Sequence, residues 1–197
     1  MGQKNNMLPS RECIERYANA FRLVFEAREA ELYNLFSQPA TRNVVELRVE
    51  RLNAIYSTRI SEADRAVLVE RIINLDIETR AKESSINASL VSDLARKGND
   101  LKENALSFAS KYFSFCNPSV YPLFDNNVMA YLREANKSFH FVNRLNTTDI
   151  NSIRRDVNYA RFIEIWSAFK NLSADLRDAN VNDLDKYLWI KGPQYYR

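Results

Sequence analysis

The chain has 197 residues, 46% of them hydrophobic and 27% charged, with a formal net charge of +3. This length suits one domain able to hide roughly 70% of its unfolded surface, and so small a positive balance does not by itself mark a nucleic-acid binder. Two cysteines, Cys13 and Cys116, are too few and too far apart for a disulfide framework or a zinc cluster. MGQKNNMLPS has no apolar run of a secretory signal, and Asn6 breaks the myristoylation pattern that Gly2 opens. No window nears the ~20 apolar residues of a membrane span. A soluble, cytoplasmic protein without a membrane partner is the expectation.

Three glycines and five prolines punctuate the whole chain, and apolar residues recur at spacings of three and four, so the fold class is all-α. A first helix is predicted from about Ser10, with Ile14, Tyr17, Phe21, Val24 and Phe25 on one face, ending before Pro39. Val45, Val49, Leu52 and Tyr56 mark a second, leading into Ser57-Thr58-Arg59. Ser61 and Asp64 form a capping pair ahead of Val67, Leu68 and Ile72. Gly98 is placed to stop the helix carrying Leu90, Leu94 and Ala95 through a left-handed cap. Asp100 and Glu103 then read as the next start signal.

The helix that follows has two unlike faces: Phe108, Tyr112, Phe115 and Cys116, against a polar stripe of Ser107, Ser110, Lys111 and Ser114. It breaks at Asn117-Pro118, an aromatic turn follows, and Asp125 opens a short helix with Val128, Met129 and Leu132. One long helix is predicted through Ile153, Val157, Ala160, Trp166 and Phe169. The last carries Leu184, Leu188 and Trp189 and closes at Gly192-Pro193. Disorder is expected only in the first few residues and at the extreme C-terminus.

Residues 104–132 are where a carboxylate, a lysine and several hydroxyls come together by local geometry. Asp125 precedes Asn126-Asn127-Val128, so its simplest role is to cap a helix. Amides bonding to a carboxylate favour its charged form at a fixed position, so capping and catalysis are compatible.

Leu52-Asn53-Ala54-Ile55-Tyr56-Ser57-Thr58, Gly98, Ser107-Phe108-Ala109-Ser110-Lys111-Tyr112 and Tyr121-Pro122-Leu123-Phe124-Asp125 together resemble the helix-hairpin-helix DNA glycosylase superfamily. They look most like a bacterial branch with F-A-S-K-Y, then N-P, then Y-P-x-x-D. The resemblance covers about residues 44–135, with an echo in Asp185-Lys186-Tyr187-Leu188-Trp189. It implies a single two-lobed helical domain over 1–197, in which 44–135 is the glycosylase-like core and 1–43 with 136–197 form the second lobe. It also implies a DNA partner, no cofactor, no metal, and Asp125 as the catalytic residue.

Two departures shape that expectation. The superfamily hairpin is glycine-rich, whereas this one offers Gly98 followed by Asn99 and Asp100. Bifunctional members carry a Schiff-base lysine where this chain has Leu106, and Lys111 lies more than a turn later. The resemblance therefore implies a monofunctional hydrolase in which Lys111 binds phosphate or orients Asp125.

Breaking an N-glycosidic bond leaves positive charge on the sugar. A carboxylate ~4 Å away at an effective dielectric near 20 offers about 4 kcal/mol of attraction, roughly a thousandfold in rate. The same group orients or deprotonates the attacking water. A flipped base needs stacking walls and something to fill its gap in the duplex. Tyr112, Tyr121 and Phe124 are the candidate walls; Tyr56, Ser57 and Thr58 are candidates to enter the duplex or touch the base. Lys97, Gly98, Lys102, Arg154, Arg155 and Arg161 are the candidate DNA-facing positions.

His140 has no second histidine for a metal pair, and the apolar neighbours of Cys116 predict an inert thiol. Two competing readings stand beside the glycosylase: a non-catalytic helical module that binds nucleic acid or protein, and a hydrolase of free nucleosides or nucleotides. No protein partner is assigned, and a monomer is the default.

Overall fold

A computed structural model describes residues 8–195; the N-terminal decapeptide's Gly2 and Asn6 and the extreme C-terminus lie outside the described residues. Eleven α-helices and one terminal 3-10 turn account for the regular structure there, with no strand among the described residues. No described helix is long and apolar enough to cross a membrane.

Polar caps set most boundaries. Helix α1 (Arg11–Ser37) starts where the Ser10 hydroxyl accepts from the Cys13 amide, and α2 (Arg42–Tyr56) where Thr41 accepts from Val44. In α3 (Glu62–Asn74) the predicted pair is present: Ser61 Oγ accepts from the Asp64 amide and donates to Asp64 Oδ2 at 2.7 Å. Of the face foreseen for α1, Ile14 and Phe21 are buried while Val24 is exposed, as is its neighbour Leu23.

Helix α4 (Ile77–Arg80) is too short to leave a periodic signal. Helix α5 (Ala88–Ala95) ends in extended backbone at Arg96, so Gly98 is not its left-handed cap. Arg71 replaces the glycine: its guanidinium donates to the carbonyls of Asp93, Leu94 and Arg96 and pairs with Asp100 at 2.5 Å. Asp100 is thereby spent, and α6 (Leu106–Cys116) starts later than the Asp100–Glu103 signal implied, with no side-chain cap.

Helix α7 (Asn126–Phe139) is capped by Asp125 and ends at His140, exposed and left-handed with φ 48°. The long helix expected over 153–169 is two: α8 (Thr147–Arg155) and α9 (Tyr159–Lys170). Buried Val157 turns left-handed between them, and Asn158 caps the second. Short α10 (Ala174–Asp178) precedes α11 (Val181–Lys191).

Helices α2, α3, α5 and α6 pack on one another, whereas α7 packs mainly against α9, α11 and the 3-10 turn; α1 touches α2, α6 and α11. The apolar core is continuous through all of them. Its centre is α6, where three of the four stripe residues are enclosed: Ser110, Lys111 and Ser114 are buried beside Phe108, Tyr112 and Phe113, and Ser107 is half-buried. Gly192 is required by close approach, because a Cβ there would overlap the backbone of Asn127. That contact seats the end of α11 on the first turn of α7, next to Asp125.

Candidate active site

Asp125 uses both carboxylate oxygens. Oδ1 accepts from the Asn127 amide at 2.9 Å, and Oδ2 accepts from Lys111 Nζ at 3.0 Å. Lys111 also donates to Ser107 Oγ at 2.8 Å, one turn earlier on α6. The lysine side chain is 2% exposed and the aspartate 19%, so the pair is anchored inside and opens outward through the carboxylate.

The aromatic turn that carries Asp125 is bonded on three sides. Ser110 Oγ accepts from the Phe124 amide at 3.1 Å, Tyr159 donates to the Pro122 carbonyl at 2.6 Å, and the Leu123 amide donates to Asp185 Oδ2 at 2.8 Å. Asp185 is itself buried on α11 and also accepts from the Trp166 indole at 3.3 Å. Burial pushes its carboxyl well above the usual carboxylate range, against the opposing pull of those two donors.

Two hollows meet at Asp125, and a third opens inward from one of them. A groove of about 1740 Å³ runs past Thr58, Arg59, Lys102, Phe124 and Arg154. A recess of about 950 Å³ lies on its other side, walled by Phe21, Phe25, Tyr56 and Trp189, with Glu29 on its floor. A narrow chamber with room for about one water continues inward to Lys111, Ser114, Asp185 and Lys186, sharing Phe21, Glu29, Tyr56 and Trp189 with the recess. The enclosed room of the recess, about 400 Å³, falls within the ~300–1,000 Å³ typical of small-molecule sites.

Glu29 and Lys186 form a second buried pair, at 2.6 Å, and Tyr56 donates its hydroxyl to the same carboxylate at 3.1 Å. Burial first, and Glu29 second, drive the Tyr56 phenol well above its ordinary value, so it stays a donor. The loop after Tyr56 is fixed in an uncommon shape: Ser57 and Arg59 have φ 49° and 61°, and Asn53 bonds Thr58 and both backbone groups of Ile60. Left-handed non-glycine residues cost about 1–3 kcal/mol each and cluster at functional sites.

Of the sequence-predicted positions, Asp125, Lys111, Tyr56, Ser57, Thr58, Phe124, Lys102 and Arg154 meet at these hollows. Tyr112 and Tyr121 do not, and their assignment as pocket walls is corrected. Tyr112 is fully buried and bonds Glu78 at 2.5 Å; Tyr121 is fully buried and accepts from the Asn87 amide. Lys97 and Gly98 line none of the three hollows. Arg155 pairs with Asp156 and Arg161 with Glu164 on exposed surface. Lys111 is enclosed, so of its two expected roles only the orientation of Asp125 is open to it. Burial pushes the Cys116 thiol up, consistent with an unreactive residue.

Sequence reasoning missed Glu29, Lys186, Trp189, Phe21, Arg28 and Arg59. Residues 186 and 189 fall inside the echo at 185–189, which was the available signal. Nothing in the pattern of the first helix distinguished Glu29 from its solvated neighbours.

The fold and site together define an all-helical domain with a lysine-anchored carboxylate at the mouth of an aromatic recess. Residues 11–120 match the family model described as the HI_0787_N N-terminal domain, so the chain belongs to that family. An uncharacterised protein of Haemophilus influenzae (strain ATCC 51907 / DSM 11121 / KW20 / Rd) is 29% identical over 146 residues. That match covers 73% of this chain and 64% of the relative, so the chain spans just under two thirds of the relative's length. No solved structure matches.

Proposed function

We propose that the protein is a DNA glycosylase of the helix-hairpin-helix type, monofunctional, with Asp125 as its catalytic residue. The observation that supports this reading is the position of Asp125 between a groove and an aromatic recess, its two oxygens fixed by Asn127 and Lys111. The duplex runs along the groove, its phosphates near Arg59, Lys102 and Arg154. The target nucleotide turns out of the stack into the recess, which costs a few kcal/mol and leaves the C1′–N bond beside the carboxylate.

As that bond breaks, the electron pair leaves with the base and positive charge grows on the sugar. Asp125 stabilises the charge and accepts the proton of the incoming water, whose hydroxyl joins C1′. That proton then passes to the departing base, leaving an abasic site. Lys111 keeps the carboxylate aimed and forms no bond to the sugar.

The deciding experiment incubates the protein with duplexes that each carry one altered base and scores alkali-labile sites, with Asp125→Asn as control. Sites made by the wild type and lost in the variant support the reading. An undiminished variant, or no release from any duplex, defeats it.

A further inference from the structure

Four residues line both the groove and the recess: Tyr56, Ser57, Asp125 and Asn126. They form the lip that any group passing from one hollow to the other must cross. Tyr56 is bonded to Glu29, and Asp125 to Lys111 and Asn127. The other two carry uncharged donors that are still unused. Asn126 accepts on its side-chain oxygen from Arg154, which also stands over the Phe124 ring at 5.9 Å. Arginine has no acceptor, so the amide oxygen must be the atom turned toward it, and the two N–H donors of Nδ2 face away from the guanidinium. Among the described residues those donors have no partner, and Asn126 is exposed.

Ser57 reaches the same lip from the end of α2, in a backbone shape that costs energy. It has φ 49° as the C-terminal cap of that helix, a position that glycine fills without strain. The residues after it hold the loop in place: Asn53 Oδ1 accepts from the Thr58 hydroxyl and the Ile60 amide, and its Nδ2 donates to the Ile60 carbonyl. The Ser57 hydroxyl is exposed and bonds nothing among the described residues. A serine standing where glycine costs less, with its side chain unused inside the fold, describes a donor held for an outside group.

The position of the lip selects that group. With the duplex in the groove and its base turned into the recess, the part of the nucleotide that spans the lip is the sugar and its flanking phosphodiester. A phosphodiester is an acceptor, and hydrogen bonds to a charged group are stronger than neutral ones. Neutral donors have a further advantage beside Asp125. A lysine or arginine there would pair with the carboxylate and weaken its field at the sugar, whereas a hydroxyl and an amide hold the phosphate without adding a competing cation.

We infer that Ser57 and Asn126 clasp a phosphodiester of the extruded nucleotide and are positioning residues that set its C1′ against Asp125. This rests on the proposed glycosylase, which puts the duplex in the groove and the base in the recess. Arg154 acts through Asn126, by fixing which end of the amide faces out.

The test is a cycle between side chain and phosphate. Duplexes carry a tetrahydrofuran abasic analogue, with either natural linkages or one neutral methylphosphonate on its 5′ or its 3′ side. On one of the two sides the neutral linkage should weaken binding by the wild type about tenfold or more, the weight of a hydrogen bond to a charged group. Asn126→Ala and Ser57→Gly should each weaken binding of the natural analogue, and the double variant should no longer distinguish the linkages. Glycine suits the left-handed backbone, so the melting temperature of Ser57→Gly should hold or rise while its affinity falls, which a merely structural serine would not produce. A wild type indifferent to the linkage on both sides overturns the inference, as does a double variant that loses as much to the neutral linkage as the wild type does. Base release from duplexes with altered bases separates the two readings. Release by the wild type without coupling between lip and linkage defeats the clasp and leaves the glycosylase standing. Coupling with no release from any duplex defeats the glycosylase and keeps the clasp.

Discussion

Lys111 Nζ lies 3.0 Å from Asp125 Oδ2 and ties the middle of α6 to the cap of α7 across 14 residues of chain. Neither residue is placed by the other alone. The lysine is held by Ser107 on its own helix, and the aspartate by the amide of Asn127 on its own helix. The position of the Asp125 carboxyl group is therefore set by two helices and a pinned turn before any ligand arrives. Such a group needs no reorganisation when positive charge develops beside it, which is the condition for electrostatic stabilisation to act at full strength.

Replacing Asp125 by Asn tests that charge. Asparagine caps helices as well as aspartate, so α7 should still form. The variant has one acceptor oxygen where the wild type uses two, and a lost bond of this kind costs about 1–3 kcal/mol. The expected result is a folded protein with a lower melting temperature by circular dichroism and base release reduced by roughly a thousandfold, the worth of about 4 kcal/mol. Activity within a factor of ten of the wild type contradicts the role.

Lys111→Met separates positioning from nucleophilic attack. Loss of the ammonium frees the carboxylate to drift, and a displacement of about 1 Å is enough to lower a rate by ~100-fold. DNA affinity should stay near that of the wild type, since the lysine is enclosed. Borohydride added during wild-type turnover should trap no covalent protein–DNA complex. A trapped complex mapping to Lys111 would instead make it a Schiff-base residue.

Much of this arrangement was legible before the fold was known, and the remainder was not for identifiable reasons. Ser10 and Ser61 act within three residues of their targets, so the helix starts they set can be read locally. Asp100 looks like a cap by the same local rule, yet Arg71 claims it from 29 positions away. Tyr112 lies on α6 and Tyr121 in the turn before Asp125, where proximity in sequence to Lys111 and Asp125 suggests wall residues. Their burial is decided by Glu78 and Asn87, which sequence proximity does not reveal. Glu29 and Lys186 meet across 157 positions, so neither pattern alone announces the pair.

Arg154 and Arg161 make opposite predictions. Arg154 stands over the Phe124 ring at 5.9 Å, bonds Asn126 and borders the groove, whereas Arg161 is paired with Glu164 outside it. Arg154→Gln should weaken duplex binding and lower the slope of log affinity against log salt by about 0.9, one phosphate contact. Arg161→Gln should change neither. A titration at several salt concentrations decides it, and equal effects of the two variants would displace the duplex from this groove.

Gly192→Ala probes the seat of α11 on α7. The added methyl meets the backbone of Asn127, which has no rotamer to yield, so the chain must shift. Overpacking of this kind costs about 1–3 kcal/mol. Thermal melts should show the loss, and base release should fall as well, because the same shift moves the first turn beyond Asp125. A variant with lowered stability and unchanged release would show that the turn bonded by Ser110, Tyr159 and Asp185 holds the site by itself.

Asp185 predicts how stability changes with pH. Burial raises its carboxyl above the ordinary value of 3.8, so the folded chain holds this proton more tightly than the unfolded chain does. Unfolding then releases a proton at any pH between 3.8 and the folded value, and stability falls as pH rises through that window. Below 3.8 both states are protonated and the contribution is fully present. Asp185→Asn cannot ionise, and its amide also sets a pH-independent penalty because it offers one acceptor to two donors, Leu123 and Trp166. The two effects separate in melting curves taken from acid to neutral pH: the penalty shifts the variant's curve as a whole, whereas the proton changes its slope. The wild type should lose stability relative to the variant as pH rises above 3.8. A difference between them that is constant with pH would mean that the Leu123 amide, the Trp166 indole and the charge of Lys111 together keep Asp185 ionised inside the fold.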